Sequence, residues 1–345
     1  MRHYEWVQRG DGSDAKGLVD LEQSDEETSN LIHWAVANGW GNGRIDPGYL
    51  SALVSTVRLF KRNGGIVVDL STNDVDVFGS IPLGPIASGD FFLPHKCVFF
   101  DMHGLKIETT FEGGADSETV AGEIEGVYAM MLPCTCGCAK GQVVLNVCIL
   151  CNPPAGGTAR GMTSFYVDLD GDGDAIEASI NKQSRERDNV GSKYTEENAV
   201  STLTAVRSAI NAILYWTSPE AKTTVDRSSL ARASQLERDI ARAKSPGKKK
   251  DLKRKLDAIT RVTITRFDIG HGDGVLPPHE GERGHVRRHK VAAHWSHYWV
   301  GKDHPLFDKG LAETEDGKRR IRKLVTEHWR GETAAGRIVS RIHKI

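Results

Sequence analysis

The sequence predicts an α+β protein: an antiparallel, β-rich, acidic α/β region over residues 1–170, a helical middle over 171–259, and a small basic antiparallel β unit over 260–345. Three observations carry this reading. Between Phe78 and Val167, short apolar runs alternate with Gly, Pro and Asp turns, the pattern of a meandering sheet. From Ala175 to Ile259 apolar residues recur at helical spacing. Beyond Arg261 the period returns to two, now among Arg, Lys, His and Trp.

Taken in order, the opening residues are polar and acidic and read as a loosely ordered arm, followed by a short helix over Leu31–Ala37 that Asn38-Gly39 stops. Asp46-Pro47 is an N-cap with proline in the first turn. The helix it starts carries Leu50, Leu53, Val54, Val57, Leu59 and Phe60 and ends before Asn63-Gly64-Gly65. Ile66–Leu70 is a buried strand. Further strands are Cys97–Asp101, Leu105–Thr110, Glu125–Leu132, Gln142–Leu150 and Ser164–Leu169, with Gly137–Gly141 closing a hairpin and a largely antiparallel sheet as the result.

Helices follow over Ala175–Asp188 and Tyr194–Trp216, the second with Val200, Leu203, Val206, Ile210, Ile213 and Leu214 as its stripe. Ser228–Ile259 is a basic helix or helix pair broken at Ser245-Pro246-Gly247. The remaining strands are Arg261–Asp268, Arg287–Val300, Arg320–Arg330 and Arg337–His343, with a Gly/Pro/His loop over 270–284.

The 345 residues are 39% hydrophobic and 26% charged, which excludes a collagen-like, disulfide-miniprotein or disordered chain. No apolar stretch approaches the roughly 18 residues of a membrane span, and the N-terminus lacks a signal-peptide core, so a cytoplasmic location is expected. The net charge of -1 conceals a division. From Ala231 onward there are 27 Lys and Arg against 15 Asp and Glu, leaving 18 against 31 in the rest. Such a basic segment has a polyanion as its natural partner.

The alternation places Arg288, Lys290, His294 and Tyr298 on one strand face, and Arg322, His328 and Arg330 on one face of a partner strand. If those faces coincide, they form a phosphate-binding surface. His294 and His328 would act as acid and base in a metal-independent ribonuclease, with arginine stabilising the charge on phosphorus. Lys249, Lys253 and Arg254, from the most cationic segment, extend the nucleic-acid surface. RNA or single-stranded DNA is the expected partner, because Trp and Tyr are available to stack on bases.

The series His289-Lys-Val-Ala-Ala-His294-Trp295, followed after a loop by His328-Trp329-Arg330-Gly331, resembles the C-terminal signature of a loosely defined family encoded by phages, prophages and plasmids. Leu214-Tyr215-Trp216-Thr217-Ser218-Pro219 is similar to a helix-ending element of the same proteins, and Leu93-Pro94-His95 is a further point of likeness. Ala292-Ala293 and Ser296 depart from it where arginines often stand. The resemblance implies a mobile-element origin and no particular reaction.

Cys136, Cys138, Cys148 and Cys151 have the Cys-x-Cys and Cys-x-x-Cys spacing of a tetrahedral zinc site. Asp168-Leu-Asp170-Gly-Asp172-Gly173-Asp174 opens like a calcium loop, but its twelfth position is Ser179 rather than glutamate, so it reads as an acidic turn before a helix. There is no phosphate-binding Gly-x-x-x-x-Gly-Lys-[Ser/Thr] loop, dinucleotide fingerprint or nucleophile elbow. Two functions follow as expectations. One is a phage accessory protein that binds nucleic acid through its C-terminal third. The alternative is a protein–protein inhibitor of a host defence complex, acting through its acidic N-terminal half.

Overall fold

The computed structural model describes residues 26–27, 29–30, 33, 47–83, 91–102, 104–111, 118–133, 143–152, 161–167, 173–186, 196–219, 221–259, 261–269, 289–291, 293–309, 317–325 and 328–330. Ile66–Asp69 (β1) is apolar on both of its faces, and the chain places it inside the sheet. Its neighbours β2 (Cys97–Asp101) and β8 (Thr263–Phe267) both run parallel to it. Beyond β2 the pairing is antiparallel through β4 (Glu118–Pro133), β5 (Val143–Asn152) and β6 (Gly161–Val167), with β3 (Lys106–Phe111) also on β4. Beyond β8 lies β7 (Thr223–Asp226), antiparallel to it. The order across the sheet is β6-β5-β4-β2-β1-β8-β7.

The α+β class holds and the sheet is largely antiparallel as expected, with a parallel centre, β2-β1-β8, that the sequence reading does not contain. Parallel neighbours need a crossover, and β1 reaches β2 through α2 (Thr72–Ser80), a helix absent from the sequence reading. Its signal is a capping box. The Ser71 hydroxyl accepts from the Asp74 N–H at 3.2 Å, and the Asp74 carboxylate accepts from the Ser71 N–H at 2.9 Å.

Strand alternation sends side chains into two cores. On one face, Val54, Val57 and Phe60 of α1 (Pro47–Arg62) pack on Val67, Cys97, Phe99, Tyr128 and Cys148. On the other, α2, α3 (Gly173–Glu186) and α4 (Glu196–Trp216) cover Val68, Phe100, Val127, Val147 and Phe165. Helix α4 is the pillar of this layer, with Ala205, Val206, Ala209, Ile210 and Ile213 wholly buried, although Val200 of the expected stripe is exposed. Gly79 lets α2 approach α4 closely, since a Cβ there would lie 2.6 Å from Thr204 Cγ2. Arg207 of α4 holds α3 through Glu177, Nε to Oε1 at 2.7 Å.

The basic pair α5 (Ser228–Arg242) and α6 (Pro246–Asp257) forms as expected, with Pro246 in the first turn of α6. It is inserted between β7 and β8. Thus β8, the first strand of the segment expected to stand apart, sits beside β1 in the main sheet. The final strands are β9 (His289–Val291), β10 (His294–Val300), β11 (Arg319–Val325) and β12 (His328–Arg330). Pairs β12–β9 and β10–β11 are antiparallel and share one register, from His289 opposite Arg330 to Val300 opposite Arg319. They form one interrupted two-stranded ribbon, the pairing the alternation predicted. The strand expected at Arg337–His343, the turn over 137–141 and the acidic turn over 168–172 lie outside the described residues. No described helix is long and apolar enough to cross a membrane.

Candidate functional surfaces

Residues directly opposite in an antiparallel ladder share a face. The ribbon sets His294 opposite Val325, Tyr298 opposite Ile321, and Arg322 opposite His297. Arg322 therefore does not share a face with His294 and Tyr298. It turns inward with Trp295 and Leu324, buried, its guanidinium 5.8 Å from the Trp295 ring. The Trp295 indole N–H donates to Asn211 Oδ1 at 2.9 Å, which docks the ribbon on α4. His294 is exposed, and Tyr298 is half-buried with its ring 6.3 Å from that of His304. The backbone sets His328, Lys290 and Arg330 opposite Val291, Trp329 and His289. Their side chains lie outside the described residues, as does Arg288. The ribbon thus divides the expected phosphate surface: even-numbered positions of β10 are paired with odd-numbered positions of β11.

The cysteines are divided too. Cys148 and Cys151 are three residues apart on one strand, so they point to opposite faces, Cys148 into the core under α1 and Cys151 into the core under α4. They cannot bind one ion, which corrects the expected zinc set. Cys148 instead lies 3.1 Å from Ser164 Oγ, and burial beside Glu125 pushes the Cys151 thiol up to about 12. Cys136 and Cys138 lie outside the described residues. Among the described residues no three His, Cys, Asp or Glu side chains converge as a metal site.

Lys249, Lys253 and Arg254 are all exposed on α6. Arg254 and Lys255 are engaged by Asp251, at 2.9 and 2.8 Å.

A further surface joins segments that lie far apart in the sequence. The end of α4 and the residues around Phe92 line a groove of about 390 Å³, formed by Phe92, Trp216, Thr217, Ser218, Pro219, Ala221 and Thr223. The His95 ring lies 5.7 Å from that of Trp216, and burial holds its pKa below the ordinary imidazole value. Leu93-Pro94-His95 and the helix-ending element around Trp216 both carry the family resemblance, and the fold brings them together.

One wall of the groove is Thr223, the first residue of β7, an edge strand. The Tyr215 hydroxyl fixes its start, accepting from the Lys222 N–H at 3.2 Å and donating to the Asp268 carbonyl at 3.0 Å. Lys222 O accepts from the Asp268 N–H, so even-numbered residues of β7 bond to β8. Thr223 and Val225 then turn their N–H and C=O groups outward. No described strand pairs with that side. At the opposite edge one β6 residue is engaged: the Gln183 amide of α3 donates to Tyr166 O at 2.9 Å and accepts from Tyr166 N at 3.0 Å. With Val225 51% exposed and Phe92 53% exposed, the β7 edge and the groove make one open, partly apolar surface.

A solved structure described as the crystal structure of AcrVA2 is 14% identical to this chain, with 94% of this chain and 92% of that one covered and a TM-score of 0.43. No curated protein sequence matches. Residues 69–325 match the AcrVA2-like family, described as the anti-CRISPR type V subtype A2 family. The match takes in β10 and β11 and ends before His328, so it spans only the first half of the His-Trp signature. It agrees with the mobile-element origin which that signature implied. Covering most of the chain, from β1 to the ribbon, the match shows that this protein belongs to the AcrVA2-like anti-CRISPR family.

Proposed function

We propose that the protein is a phage- or mobile-element-borne inhibitor of a host type V CRISPR system, and that it works by binding a host protein of that system rather than by catalysis. The family match over residues 69–325 carries the reading. It favours the protein–protein alternative drawn from the sequence over nucleic-acid binding as the main role.

The contact is assigned to the β7 edge and the Phe92–Trp216 groove. An extended segment of the target adds to the outward N–H and C=O groups of Thr223 and Val225, and one of its apolar side chains enters the groove. Backbone pairing supplies affinity, and the aromatic walls supply selectivity. The acidic N-terminal half contributes attraction at a distance, since a protein that handles nucleic acid presents basic surface. That half is not all surface charge: Asp74, Asp101 and Glu125 are buried.

The test is co-purification of the tagged full-length chain with the type V effector from cells expressing both. Val225→Pro removes one outward donor at an edge position where proline is tolerated, and Phe92→Ala removes an exposed groove wall. Each is expected to lower capture at least tenfold. Failure of the unaltered chain to capture the effector would refute the function, whereas undiminished capture by both variants would refute the surface.

A further inference from the structure

From Ser228 to Asp257 the chain holds ten Lys and Arg against four Asp and Glu, and all ten cations are exposed. The sequence pattern gives each helix one apolar stripe. On α5 and at its C-cap, Leu230, Ala233, Leu236, Ile240 and Ala243 recur at helical spacing; on α6 and just beyond it, Leu252, Leu256 and Ile259 do so. These are the buried or half-buried apolar positions, and α5 packs on α6. Neither helix packs extensively on another element among the described residues. Since β7 and β8 are antiparallel neighbours at the sheet edge, the insertion is an arm carried on that edge, sealed on itself and tied at its base by Ser229 Oγ to Val262 O at 2.7 Å and by Arg261 to Glu237 at 2.7 Å.

The four acids do not neutralise the arm. Asp251 holds Arg254 and Lys255, Glu237 holds Arg261 from outside the arm, and Asp239 accepts from the Gln235 amide. Lys244, Lys248, Lys249, Lys250 and Lys253 have no acidic partner among the described residues. Lys249 and Lys253 are one turn apart on one side of α6, and Lys250 stands between them and Arg254. Like charges at this spacing repel and cost helix stability, so the fold alone does not account for them. The arm also contains no aromatic residue and no histidine. It has no aromatic platform for unpaired bases and no imidazole.

We propose that the α5–α6 arm is a binding site for double-stranded nucleic acid, held through its phosphates without reading sequence. Charge complementarity fixes the partner as a polyanion. The absence of aromatic groups favours a duplex backbone over the single strands that aromatic platforms hold. This site is distinct from the β7 edge and does not depend on the proposed protein contact.

The test uses the full-length chain and labelled 25-base-pair duplexes of DNA and of RNA, with a single-stranded RNA of equal length, in anisotropy titrations from 50 to 200 mM salt. The unaltered chain is expected to bind at least one duplex more tightly than the single strand, with affinity falling steeply as salt rises. In the triple variant Lys249→Gln, Lys250→Gln, Lys253→Gln, the log–log salt slope should fall by about 2.7, because three phosphates are no longer neutralised. Affinity at 100 mM should fall at least tenfold. The three side chains are exposed and their mutual repulsion is relieved, so the variant should keep the circular dichroism of the parent and melt no lower. A preference for DNA or for RNA duplex names the source of the phosphates, and either supports the site. No duplex affinity at 50 mM, a preference for the single strand, or an unchanged slope in the variant overturns it. So does a variant that loses effector capture while the parent binds no nucleic acid, because the arm is then a protein contact. Capture of the effector by the triple variant, at parental strength, shows that the two sites fail separately.

Discussion

Asn211 is the residue on which the layers meet, and replacing it tests the packing argument most severely. Its side chain is wholly buried in α4. Nδ2 donates to the carbonyls of Phe78 at 2.8 Å and Ile81 at 3.0 Å, and Oδ1 accepts from the Trp295 indole at 2.9 Å. It therefore caps the end of α2 and docks the C-terminal ribbon at once. Asn211→Leu keeps the branched heavy-atom outline and removes all three bonds. Phe78 O retains a weak bond from the Ile81 N–H at 3.4 Å, so its loss is small. The Ile81 carbonyl and the indole N–H are left bare, at about 1–3 kcal/mol for each unsatisfied buried group. The expected cost is roughly 3–5 kcal/mol, read as a lower urea midpoint at unchanged m.

A cycle with Trp295→Phe isolates the docking bond. That change should cost about 1–2 kcal/mol in the parent and little in the Asn211→Leu background, a coupling of at least about 1 kcal/mol. An Asn211→Leu protein within about 1 kcal/mol of the parent, or a Trp295→Phe cost equal in both backgrounds, would show that Asn211 does not join the ribbon to the sheet.

Three further outcomes follow from burial. Desolvation lowers the Lys61 pKa from the ordinary lysine value to about 8. Below pH 8 the amine is charged in both folded and unfolded chains, and burial costs stability; between pH 8 and about 10.4 the unfolded chain holds the extra proton and stability rises with pH. Lys61→Met should thus stabilise by about 1–2 kcal/mol at pH 7, after discounting for partial exposure, with the gain fading toward pH 10 in urea melts. At Gly126, opposite Asp101, an added Cβ would sit 2.3 Å from Phe100 O and 2.5 Å from Phe99 Cζ, so Gly126→Ala should destabilise by at least about 2 kcal/mol or prevent soluble expression. The buried Cys151 thiol, raised to about 12, should react with iodoacetamide at pH 8 only as fast as the chain opens, and urea near the midpoint should accelerate labelling by orders of magnitude.

Much of the architecture was legible wherever local pattern decides the outcome. Cys97–Asp101 is strand over the expected range, and the helix pair breaks just before Pro246, which opens the second helix in place of continuing the first. What escaped depends on partners distant in sequence. The apolar runs Ile66-Val67-Val68 and Val98-Phe99-Phe100 are uniform rather than alternating, which is the mark of strands buried on both faces, yet nothing local says that Thr263–Phe267 arrives from the far end of the chain to complete the parallel centre.

The ribbon shows the same limit at finer scale. Its two strands were predicted as partners, but whether Arg322 faces His294 or Trp295 rests on the parity of a register that the connecting segment 301–318 sets. A shift of one residue would have joined the expected surface. The cysteine reading failed for a related reason. Cys-x-x-Cys spacing suits a loop, and in β5 the period of two sends Cys148 and Cys151 into different cores. Thr223–Asp226 left no alternation to detect because its four residues are mostly exposed, and an edge strand shows itself only through the strand beside it.

The proposed inhibition of type V CRISPR interference runs through the β7 edge. Transformation of a targeted plasmid into cells carrying an active type V system, with and without the chain, tests it directly. Transformation should recover to near the level of an untargeted plasmid, persist with His294→Ala, and collapse with Val225→Pro. Continued loss of the plasmid in the presence of the unaltered chain, or full protection by Val225→Pro, would contradict it.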